Sequence, residues 1–387
     1  MKIFRCSISF PLLKEQKFMG FTIQKNFKTS IFLEYNKDYQ ENYKLLSFLE
    51  ENNPVDINLL DESEYGYSCF RCFTQKDLSP EIINRTAYTA IEFQCTNWIE
   101  GYNITSANEP FTNKAIIRYP FIEDWFEGRI LDDKFNISDE LDLIVHSCYT
   151  PFGNERIKGK ALNCSFEFVF SSNKSINEIQ HYEHLLWLFL RFALNIAIPR
   201  GRVFFDNGLS RFQRFEYHFK HNENCIENYV NPVEYINSPI TIKEIINNPS
   251  LLKNGIDFCS KNYHAMTMLS RSMNKKSLID ERIAHLVQVF DGITTNTLKK
   301  KNCKRLADRL AKQVAKLEKA KILPKSSFEG NSLSKLLKDI RNAFSHLEAA
   351  LFNYDSIVEP QQYLELEKII REINLELIKS EIGFYDM

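Results

Sequence analysis

The sequence predicts an α+β protein: a β-rich N-terminal domain with one long buried helix, followed by an all-α helical bundle. Three observations lead there. Up to about residue 172 apolar and polar residues alternate, the period of a half-buried strand. Beyond Ser238-Pro239 apolar residues recur every third or fourth position, the period of an amphipathic helix. Between them lies a proline-marked stretch, Asn231-Pro232 to Ser238-Pro239, which places a β-rich domain over residues 1–235 and a helical domain over 240–387.

Strands are expected over Ile3–Phe10, Tyr67–Phe73, Ala90–Cys95, Ala115–Tyr119, Leu141–Val145 and Ser165–Phe170. Each is rich in Phe, Tyr, Ile and Val, and Asn, Asp, Gly and Pro clusters separate them. From Ser175 to Leu194 the spacing becomes helical through Ile179, Tyr182, Leu186, Phe189 and Ala193. Short strands follow at Val203–Phe205 and Phe212–Phe219. In the second half, Ser277 is placed to cap a helix through Ile283, Leu286, Val287, Phe290 and Ile293, with Asp280 completing a capping box. Leu306, Leu310, Val314 and Leu317 stripe the next helix, and Asn331-Ser332 opens a third through Leu347. Pro360 starts a fourth, carrying Leu364, Ile369, Ile370, Ile373 and Leu377 and closed by Gly383. Short connections imply an up-and-down bundle.

Composition narrows the function classes. A net charge of −1 supplies no global field for nucleic acid, so a basic surface must be local. Thirty-one Phe against 12 Gly favour filled cores over glycine-rich phosphate loops. The nine cysteines stand singly apart from Cys69 and Cys72, and the N-terminus alternates like a strand instead of forming a secretory leader; free thiols in the cytoplasm are expected. The most apolar window, 185–199, carries Arg191 and Asn195 and falls short of the roughly 20 residues a membrane span needs. A buried helix is expected there, and no membrane partner.

The strongest chemical signal is Lys338-Asp339-Ile340-Arg341-Asn342-Ala343-Phe344-Ser345-His346. Residues four apart share a helix face, so Asn342 lies under His346 with Arg341 about 100° aside. Ile340, Phe344 and Leu347 take the other face, so the three polar groups can border one cleft while the helix stays docked. Cleaving RNA through its own 2′-OH needs a base, an acid and positive charge at the phosphorane. Imidazole titrates near neutral pH and guanidinium forks onto phosphate oxygens, so this chemistry requires no metal or cofactor.

Ile340 to His346 resembles the signature of HEPN domains, an Arg and a His separated by four to six residues with a polar residue after the Arg. The resemblance covers about residues 250–387. The β-rich first half with its late helix is similar in architecture to ApeA-like phage-defence proteins. The resemblance implies a bundle that dimerises with its two Arg–His helices facing each other. It also implies metal-independent endoribonuclease activity on RNA, tRNA among the candidates, and an abortive-infection role triggered by a phage component. An acidic residue on an earlier helix often faces the motif in this family, and Asp291 is the candidate. Arg341, Asn342, His346 and Asp291 are therefore the expected catalytic set. The alternative is a non-catalytic module that dimerises and holds RNA or a nucleotide.

Residues 299–325 carry eleven Lys and Arg against Asp308 and Glu318. Such a one-sided excess favours phosphate contact over a merely solvated face, with Lys304, Arg305, Arg309, Lys312 and Lys316 as the RNA-binding candidates. Other patterns carry less. Cys69-Phe70-Arg71-Cys72 is half a zinc ribbon, and on a regular strand its thiols would face opposite ways. His181/His184 and His218/His221 have ordinary structural readings, so no metal site is expected. Gly153–Ala161 mimics a phosphate loop but lacks its Ser or Thr, and reads as a hairpin turn.

Overall fold

The structure is a computed structural model that describes residues 2–13, 16–25, 28–36, 40–52, 54–62, 66–74, 88–95, 97–100, 109–120, 122–153, 158–206, 214–219, 238–274, 277–298, 305–319 and 360–385. Strands dominate up to Phe219 and helices follow from Ile242, an α+β order. The chain packs as two compact units. One comprises Met1–Glu123, Gly128–Glu183 and Pro199–Glu227; the other comprises Asp124–Glu127, His184–Ile198 and Asn228–Met387. This differs from a single cut near residue 235, because the second half of the long helix packs with the C-terminal helices.

In the first unit, six strands form a closed ring. They are β1 (Lys2–Ser9), β2 (Lys17–Lys25), β3 (Lys28–Asn36), β4 (Val55–Asp61), β5 (Gly66–Thr74) and β6 (Tyr88–Cys95). They pair antiparallel in the order β4-β1-β2-β3-β6-β5, and β5 pairs back onto β4. The ring interior holds Ile8, Phe10, Ile31, Leu33, Ile57, Leu59 and Phe93 with Leu45 and Leu49 of α1 (Gln40–Glu51). Gly20 is required where β2 meets β3: a Cβ there would lie 2.1 Å from the Phe32 carbonyl oxygen.

Cys69 and Cys72 do not point opposite ways; both are buried inside the ring. The cause is a β-bulge: Val55 pairs with Cys72 but Ile57 with Cys69, so three steps on β5 match two on β4. The extra residue inverts the alternation and brings the Cys72 Sγ within 3.5 Å of the Cys95 Sγ. Burial raises the Cys72 and Cys95 thiol pKa values, which keeps them protonated and inert.

The free edge of β5 is shared. β6 meets it at Phe73 and Thr74, and β7 (Asn97–Glu100) meets it from Tyr67 to Phe70. From β7 the sheet continues in the order β13-β12-β8-β11-β10-β9. These strands are β8 (Thr112–Arg118), β9 (Leu131–Ser138), β10 (Leu141–Gly153), β11 (Lys158–Lys174), β12 (Arg202–Asp206) and β13 (Arg214–Phe219). β10 and β11 form one long hairpin that runs out to Gly153 opposite Lys158. The loop residues 154–157 of the phosphate-loop mimic lie outside the described residues.

One face of this sheet buries Leu143, Val145, Phe166, Phe168, Ala115, Ile117, Val203 and Phe205. α2 (Ile176–Leu194) is capped at its start by Ser175: its Oγ accepts from Glu178 N–H at 3.3 Å, and the Glu178 carboxylate accepts from Ser175 N–H at 2.8 Å. Tyr182 then packs its ring on Phe168 and Phe170. Next on this helix comes Glu183, wholly buried. Its carboxylate accepts from Arg200 Nη2, from Gly201 N–H at 3.3 Å and from the Tyr119 hydroxyl at 3.3 Å. Burial first, and then the Glu183 charge, push the Tyr119 hydroxyl well above its ordinary pKa, so it stays a donor.

In the second unit, the later turns of α2 bury Leu186, Phe189, Leu190 and Ala193. Its partners there explain the assignment: a Cβ on Gly255 would sit 2.2 Å from the Phe189 ring, and Arg191 donates to Ser270. α3 (Ile242–Asn247) opens with a Thr241/Glu244 capping box, followed by α4 (Ser250–Lys261), α5 (Tyr263–Ser272) and α6 (Ile279–Leu298). α6 begins two residues past Ser277, and Asp280 accepts from the next residue, Glu281 N–H, at 2.8 Å; the expected Ser277/Asp280 box does not form. Downstream come α7 (Leu306–Lys319) and α8 (Pro360–Glu381). α6 packs against both α5 and α8. Leu366, Ile369, Ile370, Ile373 and Leu377 are the buried stripe of α8, whereas Leu364 is 57% exposed, contrary to expectation. Gly383 (φ 78°) ends α8, with Phe384 N–H donating to Lys379 O at 2.9 Å. The helix expected over residues 331–347 lies outside the described residues.

Two predictions follow from the buried charges. Arg200→Met leaves Glu183 without its counter-charge and should cost about 3–5 kcal/mol in urea unfolding. The double variant with Glu183→Gln should recover much of that loss; an undiminished midpoint for Arg200→Met alone would refute the assigned role. The second concerns Glu367, which accepts from Arg282 Nη2 at 2.7 Å and Arg371 Nη2 at 2.9 Å. Burial alone would raise its pKa, but the two guanidiniums outweigh it and hold the carboxyl below its ordinary value. A depressed folded pKa gives stability that is complete above the unfolded value of about 4.3 and is lost as pH falls through the folded one. Glu367→Gln should therefore flatten the acid limb of a stability-versus-pH curve, and an unchanged limb would exclude this pair as its source.

Candidate active site and basic face

Of the four expected catalytic residues, Arg341, Asn342 and His346 lie outside the described residues, as does Lys304. Asp291 is described. It sits on α6 one residue past the buried Phe290, with its side chain 24% exposed. Its Oδ1 accepts from Arg309 Nη2 of α7 and lies 3.5 Å from the Thr295 hydroxyl. Two residues selected for different roles, one catalytic and one RNA-binding, thus form an ion pair with each other.

Arg309 departs from expectation in a second way, because its side chain is only 3% exposed. The helix period explains it. Arg309, Leu310, Gln313, Val314 and Leu317 are all buried and lie three to four residues apart, on the docked side of α7. A guanidinium there neutralises Asp291 and is not presented to a phosphate. Arg305, Lys312, Lys316 and Lys319 are exposed, together with Asp308, and fall on the opposite stripe. Among the described residues of the basic run, one cation turns inward to an acid and four face solvent.

His285, also on α6, was not singled out by sequence. It is half-buried, and its Nδ1 finds no hydrogen-bond partner among the described residues. Burial lowers its pKa, outweighing the opposing charge of Glu281, and Arg271 adds to the lowering. Nothing in the local pattern marks it, because it stands between apolar residues like any half-buried helical position. A cleft of about 470 Å³ opens beside Ile293 and is lined by Asn254, Asp257, Lys261, Asn262 and Glu381. It mixes both charge signs with two amides, chemistry that suits small polar groups and favours no single ligand.

The two histidines of the 181/184 pair lie in different surroundings. His181 is exposed, while the His184 ring lies between Trp187 and Tyr263 at centroid distances of 5.2 and 5.3 Å. His221 lies outside the described residues. Among the described residues no group of three or more His, Cys, Asp or Glu is arranged to hold a metal ion, and no helix is long and apolar enough to cross a membrane. Compared with models of known protein families, with characterised proteins and with solved structures, the chain matches none.

The division of the basic run has a measurable consequence. Arg309→Met should lower the unfolding midpoint by an amount corresponding to about 1–3 kcal/mol, because the ion pair of the buried guanidinium with Asp291 is lost at a partly covered site. Lys312→Ala with Lys316→Ala should unfold like the wild-type protein. Equal stability of all three chains would place Arg309 on the solvent side after all.

Proposed function

We propose that the chain is a metal-independent endoribonuclease whose catalytic helix carries Arg341, Asn342 and His346, joined to a β-rich sensing region. The observation that carries this reading is the motif itself, Arg341 and His346 separated by four residues on a segment of helical period in the all-α part of the chain. The exposed Arg305, Lys312, Lys316 and Lys319 on α7 support it by offering phosphates a cationic surface.

In the proposed reaction an imidazole takes the proton of the 2′-OH as that oxygen attacks phosphorus. A second acid protonates the departing 5′ oxygen, and Arg341 neutralises the phosphorane. The products are a 2′,3′-cyclic phosphate and a 5′-hydroxyl. One histidine per chain does not readily serve as base and acid in one step, so two facing motifs in a homodimer complete the set. Asp291 balances Arg309 in the resting arrangement and acts through that pair to position α6 and α7. A free cytosolic ribonuclease would be toxic, so the β-rich region restrains the helical region until a partner engages it, which for an abortive-infection effector is a phage component. Such control needs differential contacts with the resting and active forms.

Purified protein should cleave RNA in EDTA and leave cyclic phosphate ends. His346→Ala and Arg341→Ala should each lose at least about a hundredfold in rate while unfolding normally. A dimer pairing one wild-type and one His346→Ala chain should lose well over half of the activity. Undiminished cleavage by His346→Ala from a nuclease-free preparation defeats the reading, whereas RNA binding with no cleavage by the wild-type protein leaves the non-catalytic module as the remaining role.

A further inference from the structure

The ring of the first unit turns an apolar surface outward. On β2 the usual alternation is inverted: the outward Met19, Phe21 and Ile23 are larger and more apolar than the buried Gly20 and Thr22 between them. Register carries this surface across three strands. Ile23 pairs with Ile3 of β1, and Phe21 pairs with Phe32 of β3, whose ring stacks on it at 4.7 Å with the planes 10° apart. Ile3 and Met19 are 57% and 59% exposed, and Phe21, Ile23 and Phe32 are half-buried. One row of the face runs through Arg5, Phe21, Phe32 and Glu92, on β1, β2, β3 and β6 in turn. A cation therefore closes the patch on one side and a carboxylate on the other, where Glu34 of β3 is also exposed. Glu62, exposed just past β4, lies on the far side of Arg5 and outside the patch.

We propose that this face packs against the same face of a second copy of the chain, the two rings meeting sheet to sheet about a two-fold axis. An axis parallel to the strands, between β2 and β3, reverses the row. Arg5 then faces Glu92 of the second copy, Glu92 faces its Arg5, and the Phe21–Phe32 pairs meet at the centre. A contact of this symmetry requires a surface that complements itself. Opposite charges at the two margins make this face its own complement, which a surface built for an acidic or a basic partner would not be. The apolar centre supplies the favourable burial, and the marginal charges exclude the packing that sets Arg5 against Arg5. Sheets so related run aligned, one of the two stable ways for sheets to stack, with faces about 10 Å apart. A monomer gains nothing from the inverted β2, since monomeric chains rarely leave large apolar patches open to water. This inference goes beyond the ribonuclease reading and does not depend on it. The contact lies in the β-rich unit, and with a dimer through the helical region it would link chains into assemblies of more than two.

The test measures the mass of the full chain by light scattering over a range of concentrations. Phe21→Lys should halve the mass of the assembly. Arg5→Glu and Glu92→Arg should each weaken self-association at least about tenfold, because each sets like charges face to face at both margins. An equimolar mixture of these two variants should recover the wild-type mass, since every marginal contact then joins a carboxylate to a guanidinium. That recovery arises only between two copies of this face, and it remains informative where Phe21→Lys fails to fold. A monomeric wild-type chain, wild-type masses for both charge variants, or a mixture that stays as small as its components would overturn the proposal. Cleavage by the Arg341 and His346 variants bears on the ribonuclease reading alone.

Discussion

A single buried carboxylate organises the first unit. Glu183 is wholly removed from water, and a charge so placed persists only when every oxygen finds a donor. Its donors are Tyr119 just past β8, Arg200 two residues before β12 and the backbone N–H of Gly201, which directly precedes β12. The requirement therefore fixes where two neighbouring strands end relative to one helix. Gly201 reports how close that approach is, since a Cβ there would come 2.4 Å from Ile117 and 3.0 Å from Tyr119.

How much was legible in the sequence depends on whether a segment's partners are local. The inner stretches of the β10–β11 pair, Leu141–Val145 and Ser165–Phe170, the Ser175–Leu194 helix and most of the stripes of α6, α7 and α8 announce themselves through period alone. β2, β3 and β4 did not, because polar residues such as Lys17, Thr22, Thr29 and Asp56 dilute strands whose apolar residues make sense only once the ring has closed. Thr22 and Thr29 are in fact buried, Thr22 against the Cys6 thiol at 3.3 Å. The cysteine orientation failed for a similar reason: a bulge is a property of two strands in register, and no reading of β5 by itself contains it.

The site follows the same logic. The Arg341–His346 pattern stands out in sequence because spacing and residue type are local, while its surroundings lie outside the described residues. The fate of Arg309 was invisible because it depends on which side of α7 docks. Counting charges placed it among its basic neighbours, whereas the helical period placed it with Leu310 and Val314. Once docked there, the guanidinium needs a carboxylate, and Asp291 supplies it.

The shared edge of β5 has a consequence for how the β-rich unit is assembled. β6 and β7 take successive stretches of one hydrogen-bond ladder, so the seam that closes the ring is also the hinge-pin from which the open sheet extends. Slipping β5 by one residue would turn Tyr67, Cys69 and Cys72 out of the core and would detach both neighbours together. Ring and sheet consequently have no separate error states at this joint. A chain that mis-registers there loses both at once, and its exposed apolar surface then consigns the whole unit, not a part of it, to refolding or removal.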